Sequence, residues 1–170
     1  MRRFLIAAVI PVGLIAGYFG MANLNTPTDR PLAALNLFKR FCVPLAQGRT
    51  IPIPPQFEDI SSLPNETRWA ESKSAIELTR HSNGCSVSDQ LLHFTPTERA
   101  AFQTKAAAMV QAAFPALELD VNHSGGSWDH FTSWAQYPKN DPRHWAVLLV
   151  RFSSVGDDAT TSLSLALPRK

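Results

Sequence analysis

Two arginines at positions 2 and 3 are followed by 19 residues without a charge, Phe4 to Ala22. A basic start and an uninterrupted apolar run are typical of a membrane-targeting segment, which is either cleaved or retained as an anchor. In both cases the rest of the chain folds outside the cytosol, in the periplasm or as a secreted protein. The sequence therefore predicts a signal peptide or anchor over 1–22, a linker over 23–30 and a single domain over 31–170.

The fate of the apolar run stays open at this point. As a helix it would reach ~28 Å, close to the ~30 Å thickness of the hydrocarbon core, which favours a retained anchor to the inner membrane. Gly20-Met21-Ala22, however, places small residues at the −3 and −1 positions of a cleavage site before Asn23. Pro11 and Gly13 also interrupt the run. If the segment is uncleaved, residues 4–22 contact the membrane.

The residues after Ala22 are balanced in charge. The chain has 16 Lys and Arg against 14 Asp and Glu, and setting aside Arg2 and Arg3 leaves 14 of each sign. A basic patch is the electrostatic signature of a protein that binds nucleic acid, and the sequence after Ala22 has no run of five or more basic residues. We therefore expect no nucleic-acid partner.

The two cysteines, Cys42 and Cys85, are an even pair in a chain that is expected to be exported. Such a pair predicts a disulfide, and two buried free thiols are the alternative. Cys42 falls at the end of a predicted helix that Asp29 caps and Pro44 ends. The apolar face of this helix comprises Leu32, Leu35, Phe38 and Cys42.

Cys85 belongs to a predicted β-hairpin. Asn83-Gly84 lies between two alternating runs, which is a strong signal for a two-residue hairpin loop. That loop pairs Ser82 with Cys85, so that both cysteines point towards the core. The predicted core face carries Ile76, Leu78, Cys85, Val87 and Leu91. Arg80 and Asp89 fall on the same face, as diagonal neighbours that could form an ion pair.

A second helix begins at the capping box Thr95-Pro96-Thr97-Glu98. Its inward stripe is predicted to be Phe102, Ala106, Met109 and Ala113. Further strands are predicted near Leu117–Val121, at Trp145–Phe152 and around Leu163–Leu167, the last two joined by a turn at Gly156. The predicted fold is therefore α+β, with an antiparallel sheet of about five strands and two helices on one face, preceded by the N-terminal apolar helix.

The stretch from Asn122 to His144 is unusually long for a connection, and long connections are often functional. Its exposed aromatic and imidazole side chains would make a binding surface comprising His123, Trp128, His130, Phe131, Trp134 and Tyr137. The structural alternative is a further strand over Ser127–Tyr137, with these aromatic rings packed on the sheet. We predict no metal or cofactor, because the spacing of His123 and His130 matches no ligand motif.

Two short motifs carry a family resemblance. The run Leu37-Phe38-Lys39-Arg40-Phe41-Cys42-Val43, with the later Gly84-Cys85-Ser86-Val87, resembles a group of uncharacterised exported proteobacterial proteins. These proteins share an early helical F-x-x-x-C-V and a later G-C-x-V. The resemblance covers residues 32–92 and implies a disulfide-linked exported domain, without an activity.

Two classes of function follow from these observations. The first is a non-enzymatic accessory, inhibitory or binding domain, whose partner is a protein or membrane complex at the exported face. The second is a small exported hydrolase that uses residues of the 122–144 segment, namely His123, Asp129 or His130. No catalytic residue is assigned, because no nucleophile elbow or metalloprotease motif is present.

Overall fold

The computed structural model describes residues 28–120, 130–152 and 159–168. Its centre is an antiparallel sheet of eight strands in the order β1-β2-β3-β4-β8-β7-β6-β5. The first half of the sheet is a meander of β1 to β4, and the second half runs back from β8 to β5. The two halves meet where β4 pairs with β8, so the centre of the sheet joins strands that are distant in sequence.

The strands have the following bounds: β1 Phe57–Asp59, β2 Glu66–Glu71, β3 Ile76–His81, β4 Gly84–Ser88, β5 Glu118–Asp120, β6 His130–Gln136, β7 Trp145–Phe152 and β8 Thr160–Ala166. The helices are α1 Arg30–Leu37, a π-helical turn Phe38–Cys42, α2 Val43–Ala46 and α3 Pro96–Ala113. Helix α1 contacts β3 and β4, while α3 contacts α1 and β7. Both long helices therefore cover the same face of the sheet.

The predicted strand number is wrong, because the sheet has eight strands instead of about five. The strands missed outright are β1 and β2, which follow a proline-rich stretch. Glu66–Glu71 contains only Trp69 and Ala70 as apolar residues, so periodicity gives it a weak strand signal. The alternative in which the aromatic segment contains a further strand is confirmed, because β6 lies within it. The N-terminal apolar helix of the prediction lies outside the described residues, so the structure does not show it.

The first helix extends beyond its predicted end. The Asp29 side chain caps it by accepting from the Leu32 backbone N–H at 2.9 Å, as expected. Pro44 does not end the helix. A π-helical turn precedes it and widens the backbone, and Pro44 then lies in the first turn of α2, where a missing backbone N–H costs little. Leu32 is 46% exposed, whereas Phe38, Phe41 and Cys42 are buried. Leu35 is buried as well, so the predicted inward face is confirmed at Leu35, Phe38 and Cys42 and is wrong at Leu32.

Helix α3 begins as predicted. Thr95 Oγ1 accepts from the Glu98 N–H at 3.2 Å, and the Glu98 carboxylate accepts from the Thr95 N–H at 2.8 Å. Phe102 and Ala106 are buried, together with Val110. Met109 and Ala113 pack at the margin of the core.

The β3–β4 hairpin exists, but its register differs from the predicted one by two residues. Arg80 is paired with Cys85 and His81 with Gly84, so the loop residues are Ser82 and Asn83. Gly84 lies in the strand, where a Cβ atom would sit 2.7 Å from the Leu165 carbonyl oxygen. The glycine is therefore needed for close strand packing and not for the turn.

This register separates Arg80 from Asp89, so the predicted ion pair between them is wrong. The Arg80 guanidinium lies over the rings of Phe41 and Trp69 and donates to the Ile51 carbonyl at 2.6 Å. Leu91 lies beyond the end of β4 and is 44% exposed, which removes it from the core.

Asp89 is fully buried and acts as a backbone acceptor. It accepts from the N–H groups of Phe94 and Thr161, both at 2.6 Å. Burial raises the pKa of its carboxyl group above the ordinary value. The side chain therefore ties the loop before α3 to the start of β8 from inside the protein.

Cys42 and Cys85 form a disulfide, as the sequence predicts, with a Cα–Cα distance of 5.3 Å. The bond joins the end of the π-helical turn to β4 across the core. Closing a loop with a sequence separation of 43 removes about 4 kcal/mol of unfolded-state entropy in the chain-entropy model. Such a bond persists in an oxidising environment and indicates that the protein works outside the cytosol.

Candidate functional site

The two faces of the sheet differ in chemistry. The face under the helices carries the core, including Leu78, Val87, Val147, Leu163 and Leu165. None of the helices in the described part of the chain packs on the other face, which we call the open face. Across β2, β3, β4 and β8 the open face is polar and forms a hollow of about 330 Å³.

Ten polar side chains and one aromatic ring line this hollow. They are Glu66, Arg68, Glu77, Thr79, His81, Ser86, Ser88, Gln90, Thr160, Ser162 and Phe152. The volume of the hollow lies at the lower end of the range that is typical of ligand sites, and its lining is more polar than is usual for them. The hollow is therefore the best candidate site among the described residues.

Small side chains on the two central strands form the floor of the hollow. Ser86, Ser88 and Ser162 line it, and Ser164 lies beside it on the same face. Ser86 is directly opposite Ser164, and Ser88 is directly opposite Ser162. Directly opposed residues have Cβ atoms ~5 Å apart, so these four residues form a compact group that we call the serine quartet. Within the quartet, Ser162 Oγ and Ser164 Oγ are 3.2 Å apart, which is within hydrogen-bond distance.

One wall of the hollow is an ion pair between the buried Glu77 and the half-buried Arg68. Arg68 Nε and Nη2 donate to the two carboxylate oxygens of Glu77 at 2.8 and 2.6 Å. Thr79 Oγ1 also donates to Glu77, at 2.9 Å. The hydrogen bonds to Glu77 raise the pKa of Arg68. Each charged group thus has a partner within the protein, and this pairing offsets the cost of removing the charges from water.

The outer end of the same wall holds His81 and Glu66. His81 Nδ1 lies 3.6 Å from Glu66 Oε2, which is longer than a hydrogen bond. The imidazole is 43% exposed. This pair therefore does not orient the imidazole as an acid–base group in the way that a catalytic triad would require.

The opposite rim is formed by Phe152 at the end of β7. Its side chain is 42% exposed, and its backbone pairs with Thr160 of β8. The hollow is thus bordered by an ion pair on one side and an aromatic ring on the other. Farther along β7 the same face is apolar and closed, since Ala146 and Val150 are buried.

The aromatic residues singled out from the sequence are divided between the two faces. Trp134 is 3% exposed and lies in the core, opposite Val147. Phe131 is half-buried and is paired with Val150, which places it on the open face. Trp134 therefore cannot belong to an exposed binding surface, whereas Phe131 shares a face with the hollow.

The remaining predicted site residues are placed as follows. Tyr137 is 41% exposed beyond β6, with the Arg143 guanidinium 4.2 Å from its ring centroid. His130 begins β6, but its side chain lies outside the described part of the structure. His123, Trp128 and Asp129 also lie outside the described residues. The predicted surface over 122–144 therefore stays a prediction.

A second depression lies at the end of the β3–β4 hairpin and is larger, at about 890 Å³. Its described lining comprises Leu45, Ala46, Gly48, Thr50, Ser82, Asn83, Leu167 and Pro168. None of these side chains is ionisable. The smaller hollow is the better candidate, because its polar groups converge and are fixed by the sheet.

Three further observations bear on the site. Within residues 28–120, 130–152 and 159–168, no group of three or more His, Cys, Asp or Glu side chains is arranged to hold a metal ion. No helix in these ranges is long and apolar enough to cross a membrane. Comparisons with protein-family models, with curated proteins and with solved structures found no match.

Proposed function

We propose that the protein is a non-enzymatic binding domain of the exported compartment, and that the open face of its sheet is the binding surface. The observation that carries this proposal is the polar hollow over β2, β3, β4 and β8. A face that merely meets solvent does not need a fixed ion pair beside opposed serines. These groups instead provide directed donors and acceptors on a rigid support.

The hollow supports binding better than it supports catalysis. Its buried acid, Glu77, is occupied by Arg68 and Thr79. A general acid or base must be able to reach the proton that it transfers, and Glu77 is already bound. The alternative of a hydrolase that uses His123, Asp129 or His130 concerns groups outside the described structure and stays a prediction.

The disulfide supports a location outside the cytosol, and the sequence of residues 1–22 supports a more specific location. We place the domain in the periplasm, either released by cleavage after Ala22 or held at the inner membrane by residues 4–22. The same assignment fits the resemblance to exported proteobacterial proteins. An accessory or inhibitory role towards a protein or membrane complex is consistent with a binding face that has no assigned reaction.

Site-specific photocross-linking tests the proposal. A photoreactive amino acid at Gln90, which is exposed at the hollow, should give adducts in the native compartment. The matched control is the same amino acid at Ala108, an exposed position on α3. Adducts at position 90 that are absent at position 108 support binding by the open face. Equal yields at both positions, or adducts only at position 108, would reject it.

A further inference from the structure

The geometry of the hollow points to a neutral, polyhydroxylated ligand such as an oligosaccharide. This inference rests on the proposed binding function of the open face. Three properties of the hollow support it: its excess of negative charge, its density of hydroxyl groups and its aromatic rim.

The charges that line the hollow argue against an anionic ligand. The two carboxylates of Glu66 and Glu77 outnumber the single guanidinium of Arg68, so an anionic ligand would meet excess negative charge. Glu77 is buried and held by both arms of the Arg68 guanidinium, so a ligand that takes these arms must break two short hydrogen bonds and leave a buried unpaired carboxylate, which is costly. A neutral ligand avoids both penalties.

The hydroxyl groups suit a ligand that itself carries hydroxyl groups. Each serine or threonine side chain can donate one hydrogen bond and accept others, and the hydroxyl hydrogen rotates to suit its partner. Ser86, Ser88 and Ser162 place three such groups in the hollow on two adjacent strands, and Thr160 adds another at the margin. Sugar hydroxyls are likewise both donors and acceptors, and neighbouring hydroxyls on a sugar are separated by distances similar to those between these side chains. A surface of this kind therefore matches a sugar.

The small serine side chains also explain the depth of the hollow. Arg68 and Glu77 rise on the β2–β3 side, and Phe152 rises at the end of β7. Phe152 presents an apolar ring surface, since 42% of the residue is exposed. The C–H face of a sugar ring can pack on such a surface while its hydroxyls meet the quartet.

Calorimetric titration of the full chain, exported so that its disulfide forms, tests this inference. The probes are maltotriose, cellotriose and triacetylchitotriose as neutral ligands. Trigalacturonate serves as the anionic match. We expect at least one neutral trisaccharide to bind with a Kd below about 1 mM, and the anionic probe to bind at least tenfold more weakly.

Two variants assign the binding to the hollow. Ser86→Tyr fills the hollow and should abolish sugar binding, while Thr104→Ala removes an exposed hydroxyl on α3 and should leave binding unchanged. An unchanged melting temperature of Ser86→Tyr shows that the loss is local. Sugar binding that survives in Ser86→Tyr would overturn the inference.

The inference also fails if no neutral probe binds, or if the anionic probe binds as tightly as the neutral ones. These failures are distinct from failure of the proposed function. Adducts at position 90 without sugar binding would show that the open face binds a different class of molecule. Absence of both adducts and sugar binding would reject the proposed function itself.

Discussion

The two faces of the sheet are built from the same strands but follow different rules. On the helix-covered face, side chains such as Leu163 and Leu165 are buried in the core and give the fold its stability. On the open face, their neighbours Ser162 and Ser164 are polar, and Ser162 lines the hollow. Because side chains alternate along a strand, each central strand serves both purposes at once. The comparison therefore predicts that the stability of the fold and the proposed binding can be altered independently.

The largest expected effect concerns the covalent link on the covered face. The double variant Cys42→Ser/Cys85→Ser should lose about 4 kcal/mol of unfolding free energy, because the unfolded chain regains the entropy of the closed loop. Chemical denaturation of the oxidised protein and of the variant measures this loss. Alkylation of the unreduced, unfolded wild-type protein is the control and should label no thiol. Equal midpoints for the two proteins would contradict the account.

The next effect compares adjacent residues on opposite faces. Leu163→Ala should cost about 3 kcal/mol, because Leu163 is fully buried and its loss leaves a cavity. Ser164→Ala, one residue on, should change the unfolding free energy by no more than about 0.5 kcal/mol. Urea denaturation of both variants gives the two values. Similar costs at the two positions would show that the faces are not distinct.

Gly84 sharpens the comparison, because it is an exception on the open face. Gly84→Ala should cost about 2 kcal/mol, since the new methyl group would meet the Leu165 carbonyl oxygen and force the strands apart. Ser86→Ala, on the same face of the same strand, is the matched control and should be nearly neutral. If Gly84→Ala is also neutral, the close approach of β4 and β8 is wrong.

A smaller effect is expected at the start of α3, which supports the covered face from outside. Thr95→Ala removes the capping oxygen from the Glu98 N–H and should cost about 1 kcal/mol. Thr97→Ala changes an exposed threonine in the first turn of the same helix and is the control. Thermal unfolding that ranks Thr97→Ala as the more damaging variant would refute the capping role.

The covered face was largely predictable from the sequence. Alternation in β3, β4 and β8 identified its core residues, and the disulfide followed from the orientation of the two cysteines. Local rules worked because a capping box or an alternating run is complete within a few residues. The register of the hairpin was predicted wrongly, since the sequence shows the Asn83-Gly84 pair but not the neighbouring strand that requires Gly84.

The open face was predictable only in part. The polar positions of β3 and β4, including Glu77, Thr79, Ser86 and Ser88, follow from alternation alone. The hollow also needs Arg68 from β2, a strand with little apolar periodicity, and Ser162 from β8, which is paired with β4 across a long stretch of chain. Pairing of this kind is set by tertiary packing and leaves no local pattern in the sequence.

The most direct test of the division between the two faces measures stability and binding on one variant, Ser86→Tyr. The account predicts an unfolding free energy within about 0.5 kcal/mol of the wild type, because the new ring extends from the open face. It also predicts loss of the photocross-linked adducts at position 90, because the ring fills the hollow. A loss of several kcal/mol in stability, or adducts at the wild-type level, would contradict it.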